Sequence, residues 1–150
     1  MRLWRLARRP FLALDGSGAE RHGARWTSPG RPVVNFASEA ALSVLIVLRY
    51  LPRDLEGIDQ DYLLGWTETE EEPEDIPFTP DPVEKRVRGD AWLSSNRSLL
   101  AAVPSAVLPE ARLILMNPRH PKAGSIAPLT VRPFSFEQCL SLPPMPGWDR

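Results

Sequence analysis

Arginine is the residue type in this sequence that is best suited to bind a ligand. Arg25 lies in the segment GARW (residues 23–26), where Trp26 follows it directly. A guanidinium donates two hydrogen bonds to one phosphate or carboxylate, a nearby glycine lets a ligand approach the backbone, and an indole can stack on a planar ring. The segment therefore indicates an anion-binding turn. A second interpretation stays open, in which Trp26 fills the edge of the core and Arg25 pairs with an acid.

Two further polar groups follow apolar runs later in the chain. Ser105 comes directly after Pro104, and its hydroxyl could donate to a ligand or serve only the turn. The segment NPRHP (117–121) places Asn117 and His120 after the next apolar run, although Asn-Pro also marks an ordinary turn. Binding residues are commonly carried on loops at strand ends, so we expect these groups and the N-terminal arginines to lie near one another.

The short motifs of several common enzyme classes are absent. The sequence contains no GxSxG, no P-loop, no GxGxxG and no HExxH, which disfavours the usual hydrolases, kinases, dehydrogenases and zinc proteases. With two histidines and one cysteine, a structural zinc site is also disfavoured. Because Cys139 is the single cysteine, no disulfide can form within the chain, and a reducing compartment fits.

Charge is unevenly distributed along the 150 residues, although the formal net charge is only −1. Seven arginines lie between Arg2 and Arg31, and six acids lie between Glu68 and Asp75. The N-terminal part could hold an anion, whereas the overall balance disfavours direct nucleic-acid binding. The stretch RRPFL (8–12) resembles an export signal, but charged residues soon follow it, and no window reaches about 18 apolar residues. We therefore expect a cytoplasmic protein.

The order of elements predicts a single α+β domain over residues 1–150, with a central mixed β-sheet flanked by helices. We predict strands in RLWRLA, VVNF, DYLLGW, SLLAAVP, ARLILM and LTVRPFSFE, and an extended tail over 142–150. A buried helix should begin with Ser38 as its cap and end near Leu51. A second helix over 83–96 should break near Gly89. Residues 67–82 read as an exposed acidic, proline-rich loop, which serves solubility or forms an interaction surface.

Five segments together resemble a known family. LWR (3–5), GARW (23–26), G-RPVV-F (30–36), AVPSAV (102–107) and NPRHP (117–121) are similar to the RES-domain toxins, in the same order and over nearly the whole chain. The resemblance implies a fold related to ADP-ribosyltransferases and a toxin of a bacterial toxin–antitoxin pair. It also implies NAD as the substrate, without a metal, depleted by hydrolysis or phosphorolysis. An Xre-type helix-turn-helix antitoxin would neutralise the toxin in a hetero-oligomer and make any DNA contact itself.

The resemblance also implies roles for particular residues. Arg25 and Ser105 would be catalytic. The residues that bind NAD would be Arg5, Arg25, Trp26, Phe36 and Ser105, with the two arginines on phosphate.

Two positions depart from the family pattern. Phe36 stands where the family has a tyrosine, and Ile46 stands where it has a glutamate. Glu39 could replace that carboxylate, or it could serve only as a charge partner of the helix dipole. Two hypotheses follow: an active NAD-consuming toxin, or a catalytically impaired RES domain that binds the antitoxin, with or without NAD.

Overall fold

The computed structural model describes residues 1–51 and 61–141 of the chain. In chain order its strands and helices are β1 (Arg2–Arg8), α1 (Ser17–His22), β2 (Val34–Ala37), α2 (Ala40–Leu48), β3 (Tyr62–Glu68), β4 (Glu74–Asp75), α3 (Pro82–Ser95), β5 (Leu100–Pro104), β6 (Arg112–Met116), β7 (Thr130–Pro133) and α4 (Phe136–Ser141). Two 3-10 turns cover Arg9–Phe11 and Ala123–Ser125. The predicted extended tail, residues 142–150, lies outside the described residues.

The strands form one mixed sheet in the order β4-β5-β6-β2-β1-β3-β7. The neighbouring strands are antiparallel except β4 and β5, which run parallel. The predicted α+β fold, with a central mixed sheet and flanking helices, is confirmed. The strands β1 and β2 lie side by side in the middle, so the residues that they carry are held by neighbours on both sides.

The centre of the sheet is buried on both faces. Successive side chains of a strand point to opposite faces, and β6 shows the consequence: Ile114 packs with Phe36 on one face, whereas Leu115 packs with Trp92 of α3 on the other. This explains why ARLILM is a nearly continuous apolar run rather than an alternating one.

The helix α2 begins differently from the prediction. The Ser38 hydroxyl does not cap it, because it accepts a hydrogen bond from the backbone N–H of Arg112 at 3.0 Å. The helix starts at Ala40, and Glu39 is the N-cap residue without a capping side-chain bond. The cap prediction was therefore wrong, since the β6 backbone competes for the same hydroxyl.

The prediction that α2 is buried on nearly every face was also wrong. Only Leu42 and Ser43 are buried, while Val44 to Leu48 are partly exposed. One side of the helix packs on β1 and β2 and on Phe134 and Phe136. The apolar residues on another side line an open cavity, which is why they are neither fully buried nor replaced by polar residues.

The helix α3 runs through Gly89 without the predicted break. Gly89 is buried, and the backbone carbonyl of Trp26 lies directly against it. A glycine within a helix is usually unfavourable, and here its place is explained by this close approach of another backbone segment.

The acidic segment over 67–82 is held to the sheet at several points: Thr67 and Glu68 belong to β3, and the N–H of Thr69 donates to the carbonyl of Met1 at 2.9 Å. Its residues Glu74 and Asp75 form β4, a strand that the sequence pattern did not predict. Glu74 accepts from Arg97 Nε at 2.8 Å, and Asp75 accepts from Arg112 Nη1 at 2.8 Å. The hydrogen bond from Arg97 lowers the pKa of Glu74. These contacts pin a segment that is otherwise rich in exposed charge.

Candidate functional site

A cavity of about 280 Å³ opens between β1, β2, α2 and the turn after β5. We call it the arginine cavity. Its lining residues are Trp4, Arg5, Leu6, Ala24, Arg25, Asn35, Phe36, Ala37, Ser43, Ile46, Val47, Arg49, Tyr50, Ser105, Ala106, Val107 and Leu113. Most of this surface is apolar, and the polar groups are few and converge on one space, as is usual for small-molecule sites.

The arginine cavity brings together four of the five residues predicted to bind a ligand. Arg5 comes from β1, Arg25 from the loop after α1, Phe36 from β2 and Ser105 from the end of β5. These residues are separated by up to 100 positions in the chain. Their convergence therefore depends on the pairing of β1, β2, β6 and β5 within the sheet.

Trp26 is the exception, and the prediction that it shapes the ligand site was wrong. Its side chain is 3% exposed and packs with Trp92 and Val33 in the core beneath α3. The bend after α1 places Arg25 in the cavity wall and buries its neighbour Trp26 in the core. The interpretation of Trp26 as a core residue is therefore confirmed.

Asn117 and His120 do not reach the arginine cavity either. Asn117 is buried, donates to Asn96 Oδ1 at 3.0 Å and accepts from the N–H of Arg119 at 3.0 Å. His120 Nδ1 accepts from the N–H of Lys122 at 3.1 Å. Both residues stabilise the turn after β6, as the turn interpretation expected, and Asn117 lines a separate cavity beside Arg31 and Arg119.

Arg5 provides a fixed positive charge in the cavity wall. Its Nη1 donates to the carbonyl of Asn35 at 2.9 Å and its Nη2 to the carbonyl of Phe11 at 3.4 Å. Burial lowers the pKa of the Arg5 guanidinium, and the negative charge of Asp15 partly offsets that effect. The Nε of Arg5 is buried without a hydrogen-bond partner in the described part of the chain.

Arg25 has a neutral partner instead of an acid. Its Nη2 donates to the Tyr50 hydroxyl at 3.2 Å. Within residues 1–51 and 61–141, neither Arg25 nor Arg49 forms an ion pair with a carboxylate, although both line the cavity. Arginines elsewhere do form such pairs: Arg2, Arg31, Arg88, Arg97, Arg112 and Arg119. Among the described residues, the arginines without such a pair include the three that line the cavity, Arg5, Arg25 and Arg49, so its wall carries a positive charge suited to an anion.

The Ser105 hydroxyl can serve both the turn and a ligand. Its Oγ accepts from the N–H of Val107 at 3.1 Å and from the N–H of Leu108 at 3.4 Å. A serine hydroxyl also carries one proton to donate. No acceptor for that proton lies among the described residues, so it is available to an oxygen in the cavity.

No aspartate or glutamate from the described residues lines the arginine cavity. Ile46 lines it at the position where the family resemblance implies glutamate, and it packs with Leu42 and Val107. Glu39 is exposed at the start of α2 and is not a lining residue. As far as residues 1–51 and 61–141 are concerned, the cavity is therefore cationic without an internal counter-charge, and the proposed substitution by Glu39 gains no support.

Four polar lining residues were not predicted from the sequence: Asn35, Ser43, Arg49 and Tyr50. A signal for one of them was present. Residues three or four positions apart share one face of a helix, and this spacing places Ser43 on the same face of α2 as Ile46.

The described residues provide no obvious metal site. Among residues 1–51 and 61–141, no group of three or more histidine, cysteine, aspartate or glutamate side chains is arranged to hold a metal ion. Nor does any helix in those residues have the length and apolar character needed to cross a membrane.

The fold and the cavity define an α+β protein with an arginine-lined cleft, and comparison with known proteins assigns its family. The family model for the RES domain matches residues 2–137. A protein of Yersinia enterocolitica named Toxin Res is 32% identical over 148 residues, covering 91% of this chain and 95% of the relative. The chain therefore belongs to the RES-domain toxin family, as the sequence motifs predicted.

Two further similarities concern activity and fold. A protein of a Sphingobium species named Prs ADP-ribosylating toxin is 32% identical over 151 residues, covering 89% of this chain and 92% of the relative. The crystal structure of the M. tuberculosis MbcT–MbcA toxin–antitoxin complex contains a chain with a TM-score of 0.73 and 18% identity. The match covers 89% of this chain and 84% of that one. At this identity the structure supports the fold alone.

Proposed function

We propose that this protein is the toxin of a toxin–antitoxin pair and that it cleaves the nicotinamide–ribose bond of NAD in the cytoplasm. The observation that carries the proposal is the arginine cavity, where Arg5, Arg25 and Arg49 supply positive charge and no acidic residue of the described part of the chain lines the wall. A dinucleotide combines a negatively charged pyrophosphate with planar rings. It therefore fits a cavity that combines uncompensated guanidinium groups with an apolar wall.

Each part of the cavity suits a different part of such a substrate. Arg25 and Arg49 are free to hold the pyrophosphate, because neither is tied to a carboxylate within the described residues. The apolar wall, which includes Phe36 and Ile46, excludes water around the nicotinamide ring. The proton of the Ser105 hydroxyl can be donated to a ribose oxygen. These contacts orient the bond to be broken, and orientation is a large part of catalysis.

In the proposed reaction the bond between the ribose C1′ and the nicotinamide nitrogen breaks, and nicotinamide leaves with the electron pair. An acceptor oxygen bonds to C1′ and gives up its proton to solvent. The acceptor is water in hydrolysis and phosphate in phosphorolysis. The relative named for ADP-ribosylation supports a third acceptor, a side chain of a protein. The ribose C1′ becomes cationic in the transition state, and a carboxylate near it would stabilise that charge.

The reaction is tested by incubating the purified chain with NAD and measuring released nicotinamide by chromatography. Three parallel reactions contain buffer alone, added phosphate, or added candidate acceptor protein. Free ADP-ribose, phosphorylated ADP-ribose or protein-bound ADP-ribose identifies the acceptor in each case. Absence of nicotinamide in all three reactions would rule out the proposed activity.

A second candidate function is favoured by the missing carboxylate. With Ile46 in the cavity, the domain could bind NAD and an antitoxin without turnover. This alternative predicts saturable NAD binding without nicotinamide release, and expression without loss of viability. Binding with measurable release excludes it.

The proposed partner is a helix-turn-helix antitoxin of the Xre type that neutralises the toxin and makes any DNA contact itself. The similarity of the fold to a chain of the MbcT–MbcA toxin–antitoxin complex supports an antitoxin partner. Co-expression with the product of a neighbouring reading frame, followed by purification through a tag on the toxin, tests it. Recovery of the toxin alone would count against that product as the antitoxin.

Arg25→Gln is expected to weaken NAD binding by about 10- to 100-fold, because a hydrogen bond between two charged groups contributes about 1.5–3 kcal/mol. The fold should be unaffected, since the Arg25 side chain makes one hydrogen bond within the described residues, at 3.2 Å to Tyr50. The dissociation constant is measured by equilibrium titration with NAD.

Two variants serve as controls for Arg25→Gln. Arg132→Gln removes an exposed arginine of the distant edge strand β7 and should leave NAD affinity unchanged. Tyr50→Phe removes the hydroxyl that Arg25 contacts and keeps the ring, so its effect should be less than that of Arg25→Gln. Equal NAD affinities in the wild type and Arg25→Gln would show that Arg25 does not contact the ligand.

A further inference from the structure

A second concave region adjoins the arginine cavity. We call it the second basin; it has a volume of about 300 Å³. It shares Ala24, Arg25 and Tyr50 with the arginine cavity and adds His22, Pro82 and Arg86. Arg25 and Tyr50 line both spaces, so the two spaces meet at these residues. A ligand whose phosphate is bound by Arg25 is placed at this border, from which its two ends can reach toward either side.

Arg86 is uncompensated like the arginines of the first cavity. It is exposed on α3 and has no ion pair with a carboxylate among residues 1–51 and 61–141. Arg88, two positions later in the same helix, is paired with Glu84 at 3.1 Å. The helix thus neutralises one arginine and leaves the one in the second basin free, next to the imidazole of His22.

Resting on the proposed function, we infer that the second basin receives the adenosine half of the dinucleotide and that Arg86 favours an extra phosphate on its ribose. With the pyrophosphate bound to Arg25, one nucleoside of the dinucleotide lies in each space. The arginine cavity takes the nicotinamide half, because it holds Ser105 and the apolar wall with Ile46. The adenosine half then lies beside Arg86 and His22. The protein accordingly accepts NADP and binds it more tightly than NAD.

The inference predicts that the wild type binds NADP about tenfold more tightly than NAD at low ionic strength, and that Arg86→Gln removes the difference. A charge-assisted contact between arginine and phosphate accounts for a factor of this size, reduced from its buried value by solvent. Both affinities are measured by equilibrium titration with NAD and NADP, over times short enough for nicotinamide release to be negligible. Raising the salt concentration should narrow the difference, because ions screen exposed charges.

Arg132→Gln is the matched control: it removes the same charge from a residue that lines neither space and should leave both affinities as they are in the wild type. Equal affinities for NAD and NADP in the wild type, or an unchanged preference in Arg86→Gln, would overturn the inference while leaving NAD binding intact. Failure of both dinucleotides to bind would instead overturn the proposed function, and the inference with it.

Discussion

Replacing Ile46 by glutamate is expected to raise the rate of nicotinamide release from NAD by about 10²- to 10³-fold. Loss of one well-placed electrostatic group typically lowers a rate by this factor, so restoring it should have the reverse effect. Ile46 lines the cavity, and a carboxylate there would face the cationic C1′ of the transition state. Nicotinamide release is measured under steady-state conditions at saturating NAD.

The surroundings of Ile46 favour an ionised glutamate at this position. The cavity is lined by Arg5, Arg25 and Arg49 and by no acidic residue from the described part of the chain. Nearby positive charge lowers the pKa of a carboxyl group, so the new side chain should be charged at neutral pH. The substitution removes the packing of Ile46 against Leu42 and Val107, which should lower the stability of the fold. This loss of stability should be modest because Ile46 is only partly buried.

Ile46→Gln separates charge from shape, because glutamine has nearly the same size as glutamate and no charge. It should lose the same packing and gain no rate. If Ile46→Glu releases nicotinamide no faster than Ile46→Gln while NAD still binds, a carboxylate at this position does not assist the reaction. If only Ile46→Glu is active and the wild type is not, the natural protein is the impaired, binding form.

Much of the sheet could be predicted from the sequence, because apolar runs bounded by proline, glycine and asparagine are local signals. The strands over RLWRLA and ARLILM were recognised in this way. The two-residue strand β4 was not, since it has no apolar pattern and is held by Arg97 and Arg112, which are distant in sequence. Contacts of this kind become visible only when the strands are assembled.

The lining residues that lie in family motifs could be predicted from the sequence. Those whose contribution depends on the direction of the side chain could not. Arg5, Arg25 and Ser105 were identified from motifs, and they line one cavity. Trp26 was assigned to the same site because it is adjacent to Arg25, although adjacent residues often point to opposite sides. Tyr50 was missed because its role depends on where α2 ends relative to the loop that carries Arg25.

Gly89→Ala is expected to destabilise the fold by about 3 kcal/mol, toward the upper end of the cost of inserting one methyl group into a packed core. A Cβ on Gly89 would lie 1.6 Å from the carbonyl oxygen of Trp26 and 2.8 Å from its carbonyl carbon. Both are backbone atoms, which cannot rotate away. Alanine gains about 1 kcal/mol of helix propensity over glycine, which is too little to offset the overlap. Urea-induced unfolding measures the change.

The same substitution should disturb the site, because the backbone that must yield belongs to the residue after Arg25. Gly89→Ala should therefore weaken NAD binding under conditions where the protein is still folded. Gly18→Ala is the matched control: Gly18 lies in α1, and a methyl group added there would meet no atom of the surrounding structure within 4 Å, so alanine should stabilise by up to about 1 kcal/mol. Equal stability of Gly89→Ala and the wild type would show that α3 can move away from Trp26. In that case Gly89 would not be required for the packing of α3 against the loop that carries Arg25.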